Sequence, residues 1–490
     1  MLLFTTKLND LIWSKPMLFL ILGAGIFFTI ATRAVQFRKI KDMFHIMIDG
    51  KKSETGVSSV QAFMISAAGR VGTGNIAGVA TAITFGGPGA IFWMWVVALI
   101  GGATSFVECT LAQIYKVRST DGSEFRGGPS YYMSKGLGWR WLAVVFSAVA
   151  LFATTFCLHL PNISTLVDSV ESAYHVPRFA TTLIVAAAFA AIVFGGVKRI
   201  GAWAEKMVPL MSLIYVAACL IIIVLHISQL PAAIALVFKC AFNLEAGFGS
   251  VAGLAVMWGI KRGIYSNEAG QGNATHTAGA SDVDHPCQEG LTQTQALAVY
   301  FDTLLICTVG AIMMLVTSSY NVVAPDGTAI VTNLAGIPAG VLYAQEAIDV
   351  SFAGFGSPII AICVVFFCFT SIMATYYYAE TNIVFLCGDK TPLPMNVVRG
   401  IVIFAIFYGG LTYSELVWSI VDIGLGLMSW VNIIAILLLV KPALIALRDY
   451  EAQRKAGVKR LTFHPEKLGI KGAENQMWED LNAREHAIVE

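Results

Sequence analysis

The sequence predicts an all-α polytopic membrane protein with about 11 transmembrane helices. Three observations carry that expectation. Of 490 residues, 57% are apolar and 13% charged, with a mean hydropathy of +0.71, whereas soluble domains carry about 25% charged residues. Apolar runs long enough to cross a ~30 Å hydrocarbon core recur from end to end. Lysine and arginine collect in alternate connections between those runs.

In chain order the predicted spans are 16–32, 57–84, 90–115, 140–162, 179–197, 206–227, 246–264, 291–317, 356–386, 397–413 and 417–440. The first has no clear cleavage site and runs straight into Arg33, Arg38, Lys39 and Lys41, so it reads as a retained helix. Basic residues mark connections expected on the cytoplasmic side: 33–56, with Lys51 and Lys52; 116–139, with Lys116, Arg118, Arg126 and Lys135; and 198–206, with Lys198, Arg199 and Lys206. Lys261 and Arg262 open the next, Lys390 and Arg399 mark another, and the tail from Lys441 adds Arg448, Arg454, Lys455, Lys459 and Arg460. Connections 85–89, 163–178, 228–245, 318–355 and 414–416 hold few basic residues and include Asp168, Glu171 and Asp326. This alternation expects the N-terminus outside and the C-terminus in the cytoplasm.

The second span contains Gly69-Arg-Val-Gly-Thr-Gly-Asn-Ile-Ala-Gly78. Each glycine weakens a helix by about 0.5–1 kcal/mol relative to alanine, and an arginine at bilayer depth costs at least ~2.5 kcal/mol. Backbone leaves the helix inside a membrane only where it is buried in protein or lines a polar cavity. Its freed amides and carbonyls can then hold a cation or the charged ends of a substrate. A close-packed glycine face is the other reading, one that Arg70 and Asn75 do not suit. A second glycine-rich stretch, Gly247 to Gly253, lies five spans later. Units beginning at these two helices would enter the membrane from opposite sides, and paired interruptions of this kind point to an inverted-repeat transporter.

Other chemistries find little footing. The nine cysteines show no metal-ligand or redox spacing, and no basic block suggests nucleic acid. No nucleophile and base constellation suggests an enzyme. A channel would call for charge rings or a repeated pore loop, and neither is present in the sequence. Residues 261–280, around Ser266-Asn-Glu-Ala-Gly270, are too polar to span and suggest a compact element against the inner side of the bundle. Glu268 is either an acceptor of neighbouring amides or a solvated cap, and His276 is expected at the surface.

Gly72-Thr-Gly-Asn-Ile-Ala-Gly78, Gly86-Gly-Pro-Gly-Ala90, Arg126-Gly-Gly-Pro129 and Ser266-Asn-Glu-Ala-Gly270, in that order, resemble the alanine/glycine:cation symporter family over residues 10 to 460. The resemblance implies a leucine-transporter-like fold: two inverted five-helix repeats (57–227 and 246–440), one extra N-terminal helix with its basic loop (1–56), and a cytoplasmic tail (441–490) to which no role is assigned. It also implies Na⁺-coupled uptake of a small neutral amino acid across the plasma membrane (the inner membrane in a Gram-negative cell). Na⁺ would be the co-transported ion, with no organic cofactor, and a single protomer would suffice.

By the same resemblance Asn75 is a sodium ligand, and the backbone at Ala68 and Val71 with Thr370 and Ser371 forms a second oxygen cage. The amino acid would meet Gly72, Thr73, Gly74 and Gly78, with Phe248 closing the apolar side. Asn162 stands where the family has a Gln, and Ser371 and Thr375 where many members have Thr and Trp. The smaller Thr375 implies a roomier or more polar pocket, which opens the way to glutamine or another polar amino acid. Arg70 needs a buried partner, for which Glu108 and Asp302 are the leading candidates; contact with an acidic substrate is the alternative. A proton-coupled carrier using Glu108, Asp302 or Glu380 is the nearest rival mechanism.

Overall fold

The computed structural model describes residues 2–48, 57–193, 196–245, 248, 252–293, 296–389, 392–412 and 414–484. Within them the chain is a helical bundle in which two short antiparallel β-ribbons close connections, Val117–Arg118 with Phe125–Arg126 and Asn321–Val323 with Ala329–Thr332. Among the described residues six helices are long and apolar enough to cross a membrane, or seven if the bent pair Phe4–Ile12 and Lys15–Ala31 is one span.

That count falls below eleven because several expected spans are not single straight helices. The second is broken into Ser59–Arg70 and Val79–Gly86, with a π-turn at Gly74–Gly78 between them. The eighth, described from Ala296, runs through a π-turn at Tyr300–Cys307 to Val316, and Pro286–Gln293 is a separate described helix before it. Arg178–Val193, in the fifth, is apolar but short, and a short apolar helix, Ile227–Ala241, stands at the expected connection 228–245.

Other boundaries shift too. The helix expected over 140–162 continues to Tyr174, and a π-turn at Ala153–Cys157 precedes Pro161, whose missing N–H would otherwise break the ladder. The basic connection expected at 198–206 lies inside the helix Gly196–Leu225.

The glycine-rich stretch 247–253 lies largely outside the described residues. The seventh helix is described from Ala252 to Asn267, and an interruption follows at 268–272, before the helix Asn273–Ala280. The two broken helices run antiparallel. Val57 bridges Ser281 at one end, Gly74 meets Tyr265 midway, and Gly86 packs on Trp258 at the other end. The first of these ends shares its face of the bundle with the C-terminal segment, and we refer to it as the tail face.

The candidate cavity and its two broken helices

The first break is held open from three sides. The helix Ser59–Arg70 starts on a capping box of Ser58 and Gln61, which satisfies two orphan amides at its N-terminus. At its other end the Thr73 N–H, which a continuous helix would aim at the Gly69 carbonyl, donates to Asn162 Oδ1 (3.4 Å). The Gly69 carbonyl accepts from Ser371 Oγ instead (2.9 Å). The Gly72 N–H donates to Asn75 Oδ1 (2.9 Å) and the Asn75 N–H to the Gly72 carbonyl (3.2 Å), so the carbonyls of Ala68 and Val71 lose their helical donors. Gly72 is required by close approach, because a Cβ there would stand 2.6 Å from Ser371 Oγ.

The second break turns on left-handed backbone, with φ of +57° at Glu268 and +85° at both Gly270 and Gly272. A non-glycine residue in that region costs roughly 1–2 kcal/mol. Buried carboxylate chemistry holds the turn in place. Glu108 accepts the N–H of Gly270 (3.1 Å) and of Gly272 (3.2 Å), together with Ser105 Oγ (2.9 Å) and Asn432 Nδ2 (2.8 Å). Asn432 also donates to the Gly270 carbonyl (3.0 Å) and accepts from the Tyr132 hydroxyl.

Arg70 finds its partner in this second break. Its Nε lies 3.6 Å from Glu268 Oε2, and both side chains are almost wholly buried. Glu108 and Asp302, the expected counterions, do other work: Glu108 binds the amides just named, while Asp302 accepts from Asn75 Nδ2 (2.6 Å), Ser266 Oγ (2.5 Å) and Thr303 Oγ1 (2.9 Å). Pairing Arg70 with Glu268 required bringing residues 198 positions apart together, which spacing does not reveal. None of the Arg70 guanidinium nitrogens makes a hydrogen bond to a described group.

Between the breaks lies a cavity of about 10 Å³, room for roughly one water. Arg70, Gly72, Thr73 and Gly74 line it from the first broken helix, Tyr265 and Glu268 from the second, Asn162 from a third helix, and Ser371 and Thr375 from Gly356–Cys387. Thr73 Oγ1 donates to Asn162 Oδ1 (2.5 Å) and Thr375 Oγ1 to the Ser371 carbonyl (2.9 Å). Thr375 also meets His159 Nδ1 (3.2 Å).

Three expected members of the site stand elsewhere. Thr370 turns away, donating to the carbonyls of Phe366 (2.9 Å) and Phe367 (3.1 Å). Gly78 faces Arg262 and Trp418. Phe248 is half-buried beside Glu245, and the described helix from Ala252 to Tyr265 alone spans about 20 Å. The aromatic residue at the cavity is Tyr265, whose ring lies 2.8 Å from where a Gly74 Cβ would stand. Sequence reasoning does not reach it because the break beside it, at 268–272, lies in a stretch too polar to read as part of a span.

A vestibule of about 650 Å³ approaches from the face opposite the tail, lined by Ala77, Thr165, Asp168 and residues 338–342. Trp418 lines it and packs edge-on to Tyr265 (5.3 Å), so this aromatic pair separates vestibule from cavity. Lys261 and Arg262 open no connection. They are buried in the helix, and both bind Asp422 Oδ2, at 2.7 and 3.0 Å, while the Arg262 guanidinium stacks 4.5 Å from Trp418. His276 is buried as well, contacting the Asn273 carbonyl (2.9 Å) and Asn382 Nδ2 (2.8 Å).

Comparison with known proteins bears on this architecture. The family model described as the sodium:alanine symporter family matches residues 2–465. The chain is 50% identical over 477 residues to the "Putative sodium/proton-dependent alanine carrier protein YrbD" of Bacillus subtilis (strain 168), covering 97% of each chain. It is 42% identical to the "Sodium/proton-dependent alanine carrier protein" of Bacillus sp. (strain PS3), over 89% of this chain and 97% of that one. It is 41% identical to the "Probable sodium/glutamine symporter GlnT" of Bacillus subtilis (strain 168), over 92% of this chain and 90% of that one. With motifs, multi-pass helical architecture and whole-length similarity in agreement, the chain belongs to the sodium:alanine symporter family.

Proposed function

We propose that the chain takes up a small neutral amino acid together with Na⁺ by alternating access. The observation that carries this reading is the meeting of two antiparallel broken helices around one cavity, where a carboxylate, hydroxyls and freed carbonyls converge. Na⁺ is a hard ion that prefers oxygen. Asp302 and the hydroxyls of Ser266 and Thr303 form one oxygen cluster, braced by Asn75, whose Nδ2 donates to Asp302 (2.6 Å). The carbonyls of Ala68 and Val71 with Ser371 Oγ supply a second. The amino acid's carboxylate would take the positive backbone end at Gly72–Asn75, with Tyr265 between it and the vestibule.

In this reading residues 57–227 and 246–440 are inverted five-helix repeats of a leucine-transporter-like fold. The tail face lies in the cytoplasm, the N-terminus outside, and one protomer suffices. The cavity holds about one water in this closed arrangement, so it must widen to admit an amino acid, and its close walls favour one as small as alanine or glycine. The polar wall of Asn162, Ser371 and Thr375 leaves glutamine as the alternative, in keeping with the name of one relative.

A proton-coupled mechanism is the second reading, favoured by one observation. Among the described residues no cation lies within ion-pair distance of Asp302, so a proton could neutralise it in place of Na⁺. Uptake by reconstituted vesicles against a panel of amino acids decides between them. Sodium coupling predicts uptake driven by a Na⁺ gradient at fixed pH and abolished by choline replacement. Uptake driven by a pH gradient without Na⁺ would overturn it in favour of the proton.

A further inference from the structure

The segment beyond the last long helix touches none of the cavity, yet it is folded onto the ends of the parts that alternating access would move. Trp478, in the helix Asn475–Ala483, is fully buried. Lys116 sends its ammonium into an aromatic cage, 4.8 Å from the Trp478 ring and 4.3 Å from the Phe125 ring. The same ammonium donates to the Ser281 carbonyl (2.9 Å), immediately after the tail-face half of the second broken helix. Ser281 bridges Val57, and Ser59 Oγ donates to Glu289 (2.7 Å), which ties in the first broken helix. Ion pairs surround this centre: Arg484 with Asp282 (2.9 Å), Lys135 with Glu474, and Arg118 with Asp480 (3.9 Å).

We propose that residues 456–484 form a strap that holds the tail-face ends of both broken helices closed, so that its release sets how often the cavity opens to that face. This rests on the alternating-access reading. An element that binds one conformation and not the other shifts the balance by its difference in affinity. The strap binds the tail-face end of the second broken helix through Asp282, and Ser281 there bridges Val57 at the start of the first, so it favours the joined, closed form. Its rim consists of partly exposed ion pairs, each weak alone, which can part without dismantling the core. The fully buried Trp478 indole supplies the stronger anchor.

Native Cys368 provides the test, because its Sγ lies 3.6 Å from Thr73 Oγ1 and is buried beside the cavity. In a Cys387→Ser background, which removes the exposed cysteine, a membrane-impermeant maleimide is applied from the tail side and Cys368 labelling is read by peptide mass. Trp478→Ala should raise that rate by about tenfold, within the usual range of conformational coupling. Lys135→Glu should raise it by a smaller factor, and Lys135→Glu combined with Glu474→Lys should restore the original rate. Unchanged labelling in a folded Trp478→Ala protein, or no restoration by the charge exchange, overturns the strap. Should Trp478→Ala fail to fold, the charge exchange decides alone. If Na⁺ and alanine leave Cys368 labelling unaltered from both sides in the protein with its natural tail, alternating access itself has failed.

Discussion

Replacing Gly72 by alanine asks whether the first break is held by the contacts around it. The added Cβ would stand 2.6 Å from Ser371 Oγ, 3.2 Å from Asn162 Oδ1 and 3.3 Å from Ser371 Cβ. The serine cannot turn away freely, since its hydroxyl donates to the Gly69 carbonyl (2.9 Å). Overpacking costs about 1–3 kcal/mol, and a buried carbonyl left without its donor adds about 1 kcal/mol or more. Gly72→Ala should therefore lose about 2–3 kcal/mol, read as a lowered thermal midpoint of the purified protein. Ser371→Ala alone should cost about 1 kcal/mol. In the double variant the clash is relieved, so the two losses should couple by ~1 kcal/mol or more. Additive losses, or a Gly72→Ala protein as stable as the parent, would refute the reasoning.

Arg70→Met leaves Glu268 buried without its partner and should cost about 3–5 kcal/mol, much of it recovered in Arg70→Met/Glu268→Gln; thermal unfolding of both variants checks this. Glu108→Ala strips the acceptor from two break amides, which costs about 1–3 kcal/mol for each group left unsatisfied, and should weaken Na⁺-dependent amino-acid binding in a scintillation proximity assay. Asn75→Ala should raise the Na⁺ concentration needed for half-maximal uptake; full retention of Na⁺ dependence would remove it from the ion site. Burial pushes the Lys116 ammonium down to about 8. The folded protein then binds fewer protons than the unfolded one between that value and about 10.4, so this group makes stability rise with pH across the window. Lys116→Met should flatten the rise in a pH series of thermal midpoints.

The first break could be read from the sequence because Gly72, Gly74 and Asn75 interrupt an otherwise apolar run. The second was sought at Gly247–Gly253 because glycines within an apolar stretch resemble the first. That stretch lies largely outside the described residues; the break the structure does describe, Glu268–Gly272, lies in a segment whose polarity disguises it as a connection. Burial there is supported by Glu108 and Asn432, which lie 162 residues away on either side in sequence. Lys261 and Arg262 were misplaced for a related reason: a rule that counts positive charges cannot know that Asp422 neutralises them inside the bundle. Of the neighbouring pair Thr370 and Ser371, only the second reaches the cavity, since one residue along a helix is a rotation of about 100°. The family blocks identified the chain's class, but Tyr265, the Arg70–Glu268 pair and the folded tail depend on contacts between distant segments.

If the two breaks grip ion and amino acid as one unit, each ligand must strengthen the other's binding by the same factor. The direct measurement is a pair of titrations on purified protein at fixed pH: alanine affinity with Na⁺ and with choline, and Na⁺ affinity with and without alanine. The account predicts equal gains in the two titrations, within the ~5–150-fold range usual for coupled sites. Alanine binding that is indifferent to Na⁺ would contradict it.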